Sequence, residues 1–440
     1  MSPLQPTYRT YIPPESLPEK KSYPAPEGVS LITSPIFTKF IVFYEQDDTR
    51  GGLVPVNKLE EAIAKTLSFF YPFAGRLSPR PRGRFEVQDF DKGCLFQVCE
   101  LPDSIEEYKR NHFGHATLPI ADLVPIQHYT SLDTPLFGIQ LTQLQGGQAL
   151  GYSCNHRVSD GAAVARFIHT MAKFLRGEKV PPFEMYYDWQ RPPLHPSPKY
   201  DHRIDYPVMK EAFEREITKD PGPNIQRIFP FPIRKAEELK HQIIQEMSDK
   251  NIRISLRDAI TAFMYRSIVK ARRIKGQCDF VYIVSKRHEH PDKKLQQHFG
   301  NYLVGAVVPA KHDELMRRPM SSTAQRIREQ VANVNPEYMD SLEYYLNHVE
   351  DPSMVYPPAH RMTRGCVLWS DWSRYIASVD LGYGKHCGVT RNCLNPVPNA
   401  LVTMSSERDG IYDVVVQMDP ESMERLNNDK QIQYYTLGAF

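Results

Sequence analysis

The sequence predicts an α/β protein of two similar-sized mixed-sheet domains, and three observations carry that expectation. The chain has 440 residues, more than a single domain ordinarily holds. Strand-like and helix-like segments alternate without a strict strand–helix–strand rhythm, which argues for two mixed sandwiches over one parallel sheet. A long Pro-rich stretch containing PPFEMYYDWQRPPLHPSPKY interrupts the pattern over residues 180–232. Proline at that density breaks helices and demotes strands, and the stretch is far longer than an ordinary loop. The expected division is an N-terminal domain over 1–179, a crossover over 180–232 and a C-terminal domain over 233–440.

In the N-terminal part, PIFTKFIVFYE (35–45) reads as a strand. Asn57 with Glu60 reads as a capping box opening a helix, along which Leu59, Ile63, Leu67 and Phe70 recur at helical spacing. RFEVQDF and CLFQVCE read as two further strands. LFGIQLTQL and QALGYSCNH flank Gly146-Gly147, a hairpin signal. In the C-terminal part, helices are expected at 234–248, 255–273, 322–334 and 337–349. Strands are expected at 279–285, 303–308, 399–405 and 411–418, the last two joined by the turn sequence Glu407-Arg408-Asp409-Gly410.

Composition excludes several classes. The 54 Lys and Arg residues nearly balance 52 acids, for a net charge of +2, so nothing marks a nucleic-acid binder. A hydrophobic share of 41% and a charged share of 24% are those of a globular protein with a sizeable core. The N-terminus lacks a basic-then-apolar signal pattern, and no apolar run is long enough to span a membrane. The seven cysteines show no zinc spacing; reduced thiols in the cytoplasm are the expected state.

The stretch NHRVSDG (155–161) raises a chemical question, because His156 and Asp160 stand four apart. The strand QALGYSCNH runs into His156. After Gly161, Val164, Phe167, Ile168, Met171 and Leu175 fall on one helical face. His156 is thus expected at a strand end, where a tight turn eased by Gly161 presents it to a cleft. Asp160 is expected at the helix N-terminus, where capping and the helix dipole favour a carboxylate. His156 is therefore assigned as the base and Asp160 as its structural support. A His-x-x-x-Asp pair also arises by chance, so the corner context matters as much as the letters. No second histidine or cysteine gives metal-ligand spacing, and no metal is expected. Neither G-x-S-x-G nor G-x-x-x-x-G-K-[ST] is present.

A second constellation, WSDWSRYIASVDLGYGK (369–385), packs two glycines and an acid into Asp380-Leu381-Gly382-Tyr383-Gly384; alone it reads as a tight turn. Together the two motifs resemble the HxxxDG and DFGWG signatures of the BAHD family of acyl-CoA-dependent acyltransferases. Tyr71-Pro72-Phe73-Ala74-Gly75-Arg76-Leu77 is similar to that family's YPLAGRL stretch. Ser255-Leu256-Arg257-Asp258-Ala259-Ile260-Thr261-Ala262-Phe263 resembles its S-x-x-D-A-L-T-A-F/L helix start, Phe299-Gly300-Asn301 its Y-F-G-N, and Trp372 the tryptophan upstream of DFGWG. The ordered segments span roughly residues 35–425. Leu381 and Tyr383 depart from the family's Phe and Trp but keep apolar bulk. The Pro-rich crossover reads unlike plant members and fits a fungal source.

The resemblance implies two chloramphenicol acetyltransferase-like domains with a central channel. Acyl-CoA would be a co-substrate with no permanently bound cofactor, and the second substrate a small alcohol or amine. The implied enzyme is a cytoplasmic monomer of secondary metabolism, acting without nucleic acid or membrane. His156 is the implied general base, Trp372 the candidate oxyanion donor, and Asp380 a structural residue fixing its loop by pairing with Arg287. For coenzyme A the implied contacts are Ser255 at its capped helix start, Arg287 in the run Ser285-Lys286-Arg287-His288 with Lys293-Lys294, Asn301, Gly382 and Gly384. That basic run could equally be a solvated loop. The Arg364 region is a candidate for meeting an acidic acceptor. Rival readings are a peptide-synthetase condensation domain, which would carry a second histidine where Asn155 stands, a carnitine-type acyltransferase, whose other segments do not fit, and a non-catalytic relative acting as a binding protein, whose usual mark is loss of the histidine or aspartate.

Overall fold

The computed structural model describes residues 4–23, 27–116, 118–181, 185–187, 194–210, 223–247, 252–358, 361, 365–373, 379–391, 401–404 and 410–440. Two six-stranded mixed sheets organise it, with a small three-stranded sheet at the side.

The first sheet has the order β1-β6-β7-β8-β3-β13. Its strands are β1 (Tyr8–Ile12), β3 (Phe37–Glu45), β6 (Cys94–Ser104), β7 (Phe137–Gln145), β8 (Gly147–Asn155) and β13 (Lys385–Arg391). The small sheet joins β2 (Ser22–Tyr23), β5 (Phe85–Gln88) and β4 (Arg76–Pro79). β3 is buried almost throughout because both its faces are covered. Phe40, Val42 and Tyr44 meet helices α2 (Val56–Leu67) and α3 (Gly161–Leu175), while Ile41 and Phe43 face a second cluster with Tyr108, Phe113 and Leu123. The predicted stripe on α3 is the buried one: Val164, Phe167, Ile168, Met171 and Leu175 all enter the core. The hairpin falls where Gly146-Gly147 put it, with Gly146 at φ +73°.

The second sheet has the order β11-β10-β12-β14-β15-β9. These strands are β9 (Ile225–Pro232), β10 (Phe280–Val284), β11 (Val304–Val308), β12 (Val367–Asp371), β14 (Leu401–Met404) and β15 (Ile411–Met418). β12 runs parallel to β10 and β14, and the remaining pairs are antiparallel. Helices α4 (Ile233–Glu246), α5 (Leu256–Ala271) and α6 (Met320–Asn333) cover one face, burying Leu239, Ile243, Phe263, Ile268 and Ile327 against Phe280, Trp369, Val414 and Val416. α5 is buried on most of its sides because it is the central helix of that layer. A fourth helix of this half, α7 (Pro336–His348), packs in a separate cluster with Tyr206, Tyr302 and Val304.

Three expectations need correction. The crossover does not run to Pro232: its last residues form β9, which pairs with β15 over Ile225–Pro232. Pro230 and Pro232 restrict that strand to a sheet edge, because proline cannot donate to a ladder. The DLGYG loop does not belong to the C-terminal domain. It leads into β13, which pairs antiparallel with β3 and so extends the N-terminal sheet. Finally, α2 starts at Val56 behind Pro55 without a side-chain cap, so Asn57 and Glu60 form no capping box.

Candidate active site

His156 is the first residue past β8. Its N–H donates to the Ile36 carbonyl at 2.7 Å, and its own carbonyl accepts from Asn301 Nδ2 at 2.7 Å. Asn155 is fully buried and turns the chain: its Oδ1 accepts from the Arg157 N–H at 3.0 Å, and its carbonyl from the Val158 N–H at 3.2 Å. The histidine is thus held by its backbone between the first sheet and residue 301 of the other half.

Asp160 caps α3, its Oδ1 accepting from Ala162 N at 3.1 Å and Ala163 N at 3.4 Å. Its Oδ2 crosses to the other half, accepting from Arg287 Nη1 at 2.6 Å and Tyr302 N at 3.0 Å. Both side chains of the ion pair are 3% exposed. Burial pushes the Asp160 carboxyl up, but the Arg287 guanidinium and the donated hydrogen bonds outweigh it and hold the group below the usual carboxylate range. Arg287 also donates to the Gly300 carbonyl at 2.9 Å, so one guanidinium ties the helix cap to the FGN turn.

That geometry revises several assignments. Arg287 pairs with Asp160, not Asp380, and at 2% exposure it is closed to a coenzyme A phosphate. Asp380 instead meets Arg50 at 2.6 Å on the surface, with 55% of its side chain exposed. Its Oδ1 also accepts from Gly382 N at 2.9 Å, and its carbonyl accepts from Arg176 at the end of α3. The Gly382 N–H first, and then the Arg50 guanidinium, hold the Asp380 carboxyl low against the desolvation that raises it. Gly382 and Gly384 are structural necessities, at φ +78° and +58°. A Cβ on them would lie 2.7 Å from the Arg176 side chain and 2.8 Å from the Glu45 carbonyl. Asn301 is 1% exposed and spends its amide on Ser30 Oγ and the His156 carbonyl. The basic run is also dispersed: Lys286 is buried against Glu289 at 2.8 Å.

Trp372 does sit at the corner. A Cβ on Gly161 would come within 3.0 Å of its indole, so Gly161 is required by close approach; its φ is not positive and no special turn needs it. The indole N–H, expected to be an oxyanion donor, donates to Ser370 Oγ at 3.1 Å. Ser255 forms the predicted capping box with Asp258, whose Oδ2 also takes Arg328 at 2.8 Å. On the same helix start, Arg257 approaches Asp371, the neighbour of Trp372, at 4.0 Å. The α5 N-terminus therefore lies on the Trp372 side of the second sheet. Arg364 lies outside the described residues.

Ser370 and Ser30 were missed by the sequence reading. Strand alternation offered a signal for Ser370, because residues two apart in β12 and its extension share a face with Trp372. Ser30 carried none.

Two mixed sheets joined across a histidine corner, with the capping aspartate locked to the opposite half, define a two-domain acyltransferase fold. A model of the Transferase family matches residues 28–432, and the chain belongs to that family, the BAHD acyl-CoA-dependent acyltransferases. A hydroxycinnamoyltransferase of Narcissus pseudonarcissus is 25% identical, covering 90% of this chain and 92% of its own. Anthranilate N-benzoyltransferase protein 1 of Dianthus caryophyllus is 26% identical over 85% and 86%. The crystal structure of F. graminearum TRI101 complexed with coenzyme A and T-2 mycotoxin superposes with a TM-score of 0.80 at 19% identity, covering 94% of this chain and 99% of that one.

Proposed function

We propose that the chain moves an acyl group from a coenzyme A thioester to the hydroxyl or amine of a small acceptor, with His156 as general base. The observation that carries this reading is the corner itself: a histidine braced by its backbone from both halves, directly ahead of the Asp160–Arg287 lock. An imidazole titrates near working pH and is suited to taking the acceptor's proton. The acceptor oxygen or nitrogen attacks the thioester carbonyl, and a tetrahedral oxyanion forms. Its collapse breaks the carbon–sulfur bond, and the imidazolium returns its proton to the departing thiolate, so free coenzyme A leaves with no acyl-enzyme.

The Trp372–Ser370 pair is the candidate oxyanion partner. Ser370 Oγ accepts from the indole and keeps its own hydrogen to donate. For coenzyme A, the capped start of α5 with Ser255, Arg257 and Arg328 is the candidate anion-binding end, since helix N-termini favour phosphates. Asp160, Arg287, Gly382 and Gly384 serve by holding shape. Both halves of the corner come from one chain, which supports a monomer as the working unit. The described cysteines Cys94, Cys99, Cys154, Cys278, Cys366 and Cys387 are free thiols, in keeping with work in the cytoplasm.

The test is coenzyme A release from aromatic and short-chain acyl-CoA donors, each offered with pooled alcohols and amines. The relatives' names, which specify hydroxycinnamoyl and benzoyl transfer, put aromatic donors first. Wild type is expected to release coenzyme A only with acceptor present, and His156→Ala to lose about 10²–10⁴-fold in rate. Equal release by both proteins would sink the reading.

A further inference from the structure

The segment 28–36 leads into β3 and touches the catalytic corner at three of its residues. The Ile36 carbonyl takes the His156 N–H at 2.7 Å. The Thr33 carbonyl takes Arg157 Nε at 2.8 Å. Ser30, in the short helix α1 (Val29–Ile32), is fully buried and accepts twice from one residue, from Asn301 N at 3.1 Å and from Asn301 Nδ2 at 3.0 Å. The second hydrogen of that amide goes to the His156 carbonyl at 2.7 Å. The opposite amide orientation would set Asn301 Oδ1 against the His156 carbonyl, two acceptors face to face, so the contacts themselves fix the assignment. The strap is anchored at its start. Gly28 N donates to Asn347 Oδ1 of α7 at 2.7 Å, and Gly28 sits at φ +59° with no room for a Cβ beside Glu343.

We infer that Ser30 and Asn301 are positioning residues for the base. Ser30 acts through the Asn301 amide, which fixes the His156 carbonyl while Ile36 fixes its N–H. The strap thereby sets where the imidazole stands relative to the acceptor proton. A buried hydroxyl that takes both the backbone N–H and an amide hydrogen of one asparagine holds that amide with its Nδ2 on the His156 carbonyl. Removing the hydroxyl frees the asparagine and, with it, the tie on the His156 carbonyl. This inference rests on His156 being the base, as proposed above.

The experiment compares wild type, Ser30→Ala, Asn301→Ala and the double variant, with His156→Ala alongside. For each, kcat and KM are measured with one competent donor and acceptor, acyl-CoA affinity by titration, and thermal stability by calorimetry. Each single variant is expected to lose about tenfold or more in kcat, because small displacements of a reacting group are costly. Acyl-CoA affinity should stay within about twofold, and the double variant should be no slower than Asn301→Ala, since Ser30 acts only through that amide. Should Asn301→Ala fail to fold, Ser30→Ala, which deletes one oxygen, carries the test by its kcat-against-KM split. Unchanged kcat in Ser30→Ala, multiplying losses in the double variant, or a loss appearing in acyl-CoA affinity rather than kcat would overturn the strap. If His156→Ala itself turns over like wild type, the base assignment falls and the strap's role with it.

Discussion

Single residues at the corner divide by how much of them water reaches. Asp160 and Arg287 are a sealed pair, and a sealed pair that loses one member leaves a charge without compensation. Asp160→Ala and Arg287→Ala should each cost about 3–5 kcal/mol in chemical denaturation, and the double variant less than the sum. Additive losses would show that the two do not act as a unit. Asp380 is the opposite case. The resemblance implies a pair with Arg287, but its partner is Arg50 at the surface. With its partner Arg50 half exposed, Asp380→Ala should stay within about 1 kcal/mol of wild-type stability. A much larger loss would mean that the carboxylate's bond to Gly382 N carries the loop.

At the level of elements, the corner is where a strand, a helix and a returning chain meet. α3 begins at Asp160, and its first residue is a glycine because Trp372 lies over it. Gly161→Ala should shift the indole, and with it the Ser370 bond, while costing the helix nothing in propensity. The expected outcome is a near-native melting temperature with reduced turnover and altered tryptophan fluorescence; unchanged turnover would remove Trp372 from the reaction. The existence and type of many elements were legible from periodicity alone: α3, the Gly146 hairpin, β3, β15 and the four helices expected after residue 233 fall within two residues of their expected limits, whereas the short helices His312–Arg317, Pro420–Asn427 and Lys430–Tyr435 were not foreseen. β9 was not legible. Its prolines argue against a strand in general, and only its position at the sheet edge makes them tolerable. The missing cap on α2 is a similar case, since Asn57 and Glu60 have the right letters two residues too far into the helix, whose N-cap is Pro55.

For the whole molecule, buried titratable groups shape how stability responds to acid, His202 and Asp160 among them. His202 is packed among Tyr338 and Tyr345 with Nε2 on Ser341 Oγ at 3.0 Å, and burial pushes its pKa down to about 4. The unfolded chain binds that proton near the ordinary value of about 6.5. Stability should therefore fall as pH drops from about 6.5 towards 4, because only the unfolded state gains the proton there. His202→Gln should flatten that slope in urea titrations run across this range; an unchanged slope would assign it to another group. Asp160 acts lower. Its folded pKa is depressed, so its contribution is present above the unfolded carboxylate value and is lost as pH falls through the folded one.

By itself the sequence determined the two-domain α/β class, most elements, the place of His156 at the strand end, the capping role of Asp160 and the family. All of these rest on local order: periodicity, caps, and motifs whose letters lie a few residues apart. Only the tertiary structure decided who pairs with whom. Arg287 lies 127 residues from Asp160 and 93 from Asp380, and nothing in one chain's letters ranks those two distances. The return of the DLGYG segment to the N-terminal sheet, and the meeting of Ser30, Asn301 and His156, belong to the same class. Hydrogen bonds and ion pairs across a fold are fixed by which surfaces the packed elements bring together, and a single sequence records that packing only as apolar faces without partners.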